Sequence, residues 1–89
     1  MKASEIIDHV LTEGVTLIRD RKEEHVKGTD WEYDVRDGFS GKKKGWVYLD
    51  TFTASAMKTV HDALSEDARS KYNRIHLTRL IDFTWKSVK

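Results

Sequence analysis

Three consecutive lysines between two glycines form the densest run of positive charge in the chain: Lys42, Lys43 and Lys44. A glycine-rich loop with lysine binds phosphate when it opens onto a helix, because the first N–H groups of that helix then point at the anion. Here the loop opens onto an alternating aromatic run typical of a strand, so we expect a hairpin loop whose lysines stay solvated and protect the sheet edge. The alternative is contact with phosphate or nucleic acid, since Trp46 and Tyr48 follow directly and rings beside charge suit a single-strand binder.

Acidic side chains form the second candidate site, along the run WEYDVRDG at 31–38. Trp31, Tyr33 and Val35 alternate with charged residues, so one side of this predicted strand is polar. Three carboxylates lie on the polar side or in the turn that follows: Glu32, Asp34 and Asp37. Together with the lysines they are the candidate partner-binding residues, because contacts concentrate in loops on a rigid scaffold. They would repel phosphate, which argues against nucleic acid at this place.

Catalytic and metal-binding motifs find little support in this sequence. The chain has no cysteine, and its four histidines form no i,i+4 pair: His9, His25, His61 and His76. We therefore expect no zinc site, no cofactor and no enzyme. No Gly-x-Ser-x-Gly turn surrounds Ser40, Ser55 or Ser65. His61 and Asp62 are neighbours on a predicted helix, and we expect their side chains to point to different sides.

Three β-type runs predict a small antiparallel sheet: VTLIRD at 15–20, WEYDVRDG at 31–38 and GWVYLD at 45–50. In the third run Trp46 and Tyr48 lie on one face, and Val47 and Leu49 lie on the other. The second and third runs are joined by a turn, so we expect them to pair directly, with their aromatic residues opposite each other. The expected sheet is a three-stranded meander.

Helical spacing predicts one helix before the sheet and three after it. The first has Ser4 as its expected N-cap and ends at Gly14. The second has Thr53 as its expected N-cap, and Phe52 is expected to pack on Met57 as a hydrophobic staple.

The last two helices complete the predicted C-terminal part. Ser65 is the expected N-cap of the third helix, whose first turn is acidic. The fourth carries the longest apolar stripe: Leu77, Leu80, Ile81, Thr84, Trp85 and Val88. This spacing predicts that Trp85 lies in the core.

The length and the charge of the chain limit the class of protein to which it can belong. Eighty-nine residues predict one small domain, 1–89, with a helix and sheet in 1–50 and helices in 51–89. Residues 1–40 carry six Lys/Arg against ten Asp/Glu, and residues 41–89 carry ten against five. Nucleic-acid-binding proteins usually have a larger basic excess than this net charge of +1. We expect a cytoplasmic protein without membrane association, because there is neither a signal-peptide pattern nor an apolar run near the roughly 20 residues that span a bilayer.

The segment 48–86 carries a pattern of small, capping and apolar residues: Phe52-Thr53-Ala54-Ser55-Ala56, Val60, Ala63-Leu64, Ser65-Glu66 and Lys71-Tyr72. In this pattern the segment resembles the C-terminal half of small uncharacterised proteins encoded by bacteriophages and prophages. The resemblance implies a protein made inside an infected bacterium. It also implies binding that inhibits or redirects a host protein or complex, such as an antiviral defence system. No functional residue follows from it.

We therefore expect an α+β domain with an N-terminal helix, a small antiparallel meander and three C-terminal helices packed on the sheet. The expected function is a non-catalytic interaction module that modulates a host bacterial protein or complex. The alternative is a small nucleic-acid-binding regulator that uses the lysine loop and the basic side chains of the last helices: Arg69, Lys71, Arg74, Arg79, Lys86 and Lys89. The identity of the partner and self-association stay open at this point.

Overall fold

The computed structural model describes residues 1–21, 25–39, 41 and 44–87 of the 89-residue chain. These residues form helices and strands in the order α1 (Ala3–Glu13), β1 (Thr16–Asp20), β2 (Tyr33–Asp37), β3 (Val47–Leu49), α2 (Thr51–Ala63), α3 (Glu66–Ser70), a 3₁₀ turn (Tyr72–Arg74) and α4 (Leu77–Ser87). The expected α+β class is confirmed, with one helix before an antiparallel sheet and the others after it. Within the described ranges, no helix combines the length and apolarity needed to cross a membrane.

The strand order in the sheet is β2-β1-β3, and both neighbours of β1 run antiparallel to it. The predicted direct pairing of β2 with β3 is wrong, because β1 lies between them, and the sheet is not a meander in chain order. In the register, Leu17 lies opposite Arg36 on one side and Tyr48 on the other. Thr16, Leu17 and Ile18 are all buried. A run of residues buried on both faces is typical of a central strand, which explains the position of β1.

Side-chain alternation assigns the two faces of the sheet. Ile18, Tyr33 and Leu49 belong to the hydrophobic core that the helices share. Leu17 is fully buried but lies outside that cluster, on the opposite face. The alternation predicted for β2 and β3 is confirmed, yet their aromatic residues lie on different faces, since Tyr33 faces the core and Tyr48 neighbours Leu17. The aromatic contact expected across these two strands therefore does not form.

Helix α1 has Lys2 as its N-cap rather than the predicted Ser4. The Glu5 carboxylate accepts a hydrogen bond from the backbone N–H of Lys2 at 2.9 Å, as in a capping box. Ser4 bonds Asn73 instead: its N–H donates to Oδ1 and its Oγ accepts from Nδ2, both at 2.9 Å. The predicted end of the helix at Gly14 is confirmed, and the φ of 91° there favours glycine.

Helix α2 has Asp50 as its N-cap rather than the predicted Thr53. The Asp50 Oδ1 atom accepts a hydrogen bond from the Thr53 N–H at 2.7 Å, and this contact lowers the pKa of the Asp50 carboxyl. The expected packing of Phe52 on Met57 is wrong, because Met57 is buried whereas Phe52 is 74% exposed. The Phe52 ring instead stacks on Trp85, with ring centres 5.7 Å apart.

The C-terminal helices follow the predicted pattern with one correction. Ser65 is the N-cap of α3 as expected, and its Oγ accepts a hydrogen bond from the Ala68 N–H at 3.2 Å. Helix α4 buries three residues of the predicted stripe: Leu77, Leu80 and Thr84. Trp85 was expected in the core but is 40% exposed, because it lies at the flank of this stripe. Val88 lies outside the described residues.

Candidate functional site

Two of the predicted acidic residues are held by ion pairs within the chain. The Glu32 Oε2 atom lies 3.4 Å from the N-terminal amino group of Met1. The Asp34 carboxylate lies 3.5 Å from Nε of Arg21 and 3.6 Å from Nε of Arg19. These carboxylates are therefore largely neutralised by neighbouring cations.

The connection between β2 and β3 contains the remaining predicted site residues. Asp37 is exposed at the end of β2, and its Oδ1 accepts a hydrogen bond from the Phe39 N–H at 2.9 Å. Lys44 is exposed in a turn directly before β3, and Lys42 and Lys43 lie outside the described residues. The prediction of a hairpin loop is wrong, because β2 and β3 are not neighbours. The connection runs from one edge strand of the sheet to the other.

The face of the sheet turned away from the core carries a cluster of aromatic and cationic side chains, which we call the open face: Arg19, Arg36, Trp46 and Tyr48. The guanidinium carbons of Arg19 and Arg36 lie 4.4 Å and 4.2 Å from the centre of the Trp46 ring. Distances of this size are typical of cation–π contacts. Because Arg19 also reaches Asp34, the ring and the charges form one connected unit. Tyr48 is 54% exposed beside them.

The position of Leu17 explains why the open face is ordered. This residue is fully buried, and its partners in the register are Arg36 and Tyr48. Long side chains can cover an apolar residue with their aliphatic stems while their polar ends stay in water. The side chains of the open face thus cover Leu17 where a second layer would otherwise be needed, and they are in place before any partner binds.

A second cluster, which no local pattern predicts, brings Asp20 at the end of β1 to His76 before α4. The His76 Nε2 atom lies 2.7 Å from Asp20 Oδ1. The Thr78 N–H donates to His76 Nδ1 at 3.3 Å, so the ring hydrogen lies on Nε2 and donates to Asp20. Both ring nitrogens are therefore engaged. The Thr78 hydroxyl oxygen also lies 2.9 Å from His76 Nδ1, so each ring nitrogen has a polar side-chain partner within hydrogen-bond distance.

Tyr33 completes the contacts at the start of α4. Its Oη accepts a hydrogen bond from the Leu77 N–H at 2.8 Å, so Tyr33 and His76 together satisfy donors of the first helical turn. Burial raises the pKa of Tyr33 to about 12; the Leu77 hydrogen bond lowers this pKa and the charge of Asp20 raises it. The phenol is therefore protonated at neutral pH, and its role is to hold α4 against the sheet.

The pair His61 and Asp62 departs from expectation. The His61 Nδ1 atom lies 3.1 Å from Asp62 Oδ1, so the prediction that these side chains point apart is wrong. This hydrogen bond is the main cause of the lowered pKa of Asp62, with a contribution from Lys58. On its other side the His61 ring packs edge-on against Tyr72, with ring centres 4.7 Å apart. Over the part of the chain that the structure describes, no three His, Asp or Glu side chains gather in a way that could hold a metal ion.

Comparison with known proteins adds no relative. No protein-family model, curated protein or solved structure matches this chain. The relationship to bacteriophage proteins stays a prediction, and the candidate sites are defined by the geometry of the chain itself.

Proposed function

We propose that the protein is a non-catalytic interaction module that binds a partner protein through the open face. The observation that carries this proposal is the Trp46 ring contacted by the two guanidinium groups of Arg19 and Arg36, beside the exposed Tyr48. Trp, Tyr and Arg are the residue types that supply most of the binding energy in protein interfaces. Because these side chains are already ordered, less conformational entropy is lost on binding.

The charge of the open face indicates the chemistry of the partner. Arg19, Arg21 and Arg36 lie on or beside this face, and Asp34 is shared between two of them. Lys44 adds a further cation in the turn before β3. Cations outnumber carboxylates among the described residues of this face, so the matching partner surface carries carboxylates around a site that accepts an aromatic ring.

The setting of this interaction follows from the sequence resemblance of residues 48–86 to bacteriophage proteins. On that basis the partner is a host bacterial protein or complex, such as a defence system, met in the bacterial cytoplasm. Binding would inhibit or redirect that partner. The support for this setting is the resemblance alone.

The experiment is capture of a partner from nuclease-treated bacterial lysate on the immobilised protein, followed by affinity measurement with the recovered partner. Tyr48→Ala should weaken binding roughly tenfold or more, because truncated hot-spot residues have effects of this size. The matched control is Phe83→Ala, which removes an aromatic side chain of similar exposure, 45%, from α4. Its binding should equal that of the unchanged protein. Equal losses in the two variants, or no loss in either, would exclude the open face as the binding surface.

The alternative, a nucleic-acid-binding regulator, is tested by binding to random-sequence DNA over a series of salt concentrations. Affinity that falls steeply with salt would favour it, and absence of binding at ~50 mM salt would exclude it. Replacing Lys42, Lys43 and Lys44 with serine should leave stability within ~0.5 kcal/mol. If the loop guides association with a protein, the same variant should bind more slowly and with less dependence on salt.

A further inference from the structure

A cleft of about 490 Å³ lies between the segment 25–31 and the start of α4, away from the open face. Three cationic side chains and three rings line it: Lys27, Arg74, Arg79, His25, Trp31 and His76. Its volume falls within the roughly 300–1,000 Å³ of small-ligand sites. Among the described residues, neither Lys44 nor the carboxylates Glu32, Asp34 and Asp37 line this cleft.

The rings form an ordered wall. The His25 and Trp31 rings are stacked, with centres 3.6 Å apart and planes within 6° of parallel. The His76 ring meets Trp31 edge-on at 4.7 Å. His25 is held by donation from its Nε2 to the Thr29 carbonyl at 2.8 Å, and His76 is held by Asp20. A planar ring entering the cleft can extend this stack.

Hydrogen bonds through Asn73 fix the cleft to the rest of the fold. The backbone N–H of Trp31 donates a hydrogen bond to the backbone carbonyl of Asn73 at 2.9 Å. The Asn73 side chain in turn bonds both the N–H and the hydroxyl of Ser4 in α1. Arg74 follows directly in the chain, so its backbone is held at a defined place beside the wall.

The described charged side chains that line the cleft are cationic, and the described carboxylates lie outside it. Two nearby carboxylates are paired with cations, Asp30 with Lys2 at 3.1 Å and Glu32 with the amino group of Met1 at 3.4 Å, whereas Asp20 accepts a hydrogen bond from His76. Among the residues that the structure describes, no carboxylate lines this cleft. Among the described residues, none forms an ion pair with Lys27, Arg74 or Arg79. A site whose described lining holds three cations and no carboxylate attracts an anion.

We propose that this cleft binds a nucleotide, with its phosphate at Lys27, Arg74 and Arg79 and its base stacked on the pair His25 and Trp31. Arginine matches phosphate through paired N–H donors, and aromatic rings stack on any base. The same chemistry is offered by a free nucleotide and by a nucleotide within a single strand. This proposal is independent of partner binding at the open face.

The test uses three probes with the full chain at low salt: adenosine monophosphate, a deoxythymidine decamer and inorganic phosphate. Binding is followed by fluorescence anisotropy of labelled probe and by the NMR signal of the Trp31 indole N–H, assigned with Trp31→Phe. The test variant is Arg74→Gln with Arg79→Gln. The matched control, Arg69→Gln with Lys86→Gln, makes the same change of net charge outside the cleft.

We expect adenosine monophosphate or the decamer to shift the Trp31 indole signal. The test variant should bind roughly tenfold more weakly or worse, and the control should retain its affinity. If the decamer binds, its salt slope should fall by about two in the test variant, one for each lost phosphate contact. Binding of the decamer alone would assign the site to single strands, and binding of the monophosphate alone to free nucleotides.

Four outcomes would overturn the proposal. The first is no binding of either nucleotide probe at ~50 mM salt, where electrostatic contacts are strongest. The second is an equal loss in the test and control variants, which would indicate a response to net charge alone. The third is a set of NMR shifts confined to Tyr48 and Lys44, which would place the ligand at the open face. The fourth is binding of inorganic phosphate as tight as that of the nucleotides, which would show that the rings of His25 and Trp31 add nothing to the affinity.

Discussion

Two buried tyrosines differ in a single hydrogen bond, and the difference predicts opposite effects of the same substitution. Tyr33 is 1% exposed and its Oη accepts from the Leu77 N–H at 2.8 Å. Tyr72 is 2% exposed, and within the described part of the chain its buried Oη has no hydrogen-bond partner. Tyr33→Phe and Tyr72→Phe each remove only a hydroxyl and keep the ring.

The expected change in stability depends on whether removal of the hydroxyl leaves a buried hydrogen-bonding group without a partner. Tyr33→Phe removes the acceptor for a buried N–H in the first turn of α4, and an unsatisfied buried donor costs about 1–3 kcal/mol. Tyr72→Phe removes a polar atom that was taken out of water without compensation, so stability should be unchanged or rise by about 1 kcal/mol. For a domain of this size each kcal/mol corresponds to a Tm shift of roughly 4–8 °C.

The assay is urea and thermal unfolding followed by circular dichroism, with the native spectra compared first to show that all variants fold. Tyr33→Phe should shift the urea midpoint down, and Tyr72→Phe should leave it unchanged or raise it. The slope of the unfolding free energy against urea should be unaltered, because the surface exposed on unfolding does not change. A loss of stability in Tyr72→Phe equal to that in Tyr33→Phe would refute the assignment of hydrogen bonds.

The same two residues predict alkaline instability. Burial raises the pKa of both Tyr33 and Tyr72 from an ordinary value of 10.0 to about 12. The folded state therefore favours the protonated phenols. Their contribution is complete below pH 10 and is lost as the pH rises toward the folded pKa, by roughly 2–3 kcal/mol for each residue. Urea unfolding between pH 8 and pH 12 measures this loss of stability. In Tyr72→Phe the loss over this pH range should be about half of that in the unchanged protein, because only Tyr33 of the two still ionises.

Three further predictions concern caps, the exposed aromatic pair and a close contact. Asp50→Ala should lower the free energy of unfolding by about 1 kcal/mol because it removes the N-cap of α2, and Thr53→Ala should lower it less. The pKa of Asp50 is lowered in the folded state. The loss of stability in Asp50→Ala should therefore persist at neutral pH and vanish as the pH falls through that pKa. Trp85→Ala should cost about 0.5–1.5 kcal/mol, well below the value for a core tryptophan, as judged by urea unfolding. Gly38→Ala should lower the Tm, because the new Cβ would lie 2.7 Å from the Val15 carbonyl oxygen. An unchanged Tm in Gly38→Ala would mean that the turn moves to accommodate the methyl group.

Local patterns in the sequence determined the types of most helices and strands. The alternation in β2 and β3, the end of α1 at Gly14 and the N-cap Ser65 depend on residues within a few positions of each other. Such signals are complete in the chain itself, since pleat and helical period are local properties. They predicted correctly which side chains share a face of a strand.

The errors in capping arose where several suitable residues stand close together. Asp50 and Thr53 both suit an N-cap, and the side chain that reaches the free N–H decides the start of α2. Ser4 was available by type but is bonded to Asn73, 69 residues away along the chain. Competition of this kind is settled by contacts from outside the helix.

Only the tertiary structure decided where β1 lies, and with it the nature of both candidate sites. By entering between β2 and β3, it separates Tyr33 from Tyr48 and turns Trp46 and Tyr48 to the open face. Strand order depends on burying Leu17 and Ile18 on opposite faces at once, which is a property of packing across the chain rather than of any one strand. Asp20 and His76, 56 residues apart, meet for the same reason. The sequence determines the pattern of each segment, whereas the burial of distant segments against one another decides which side chains face solvent and which come together.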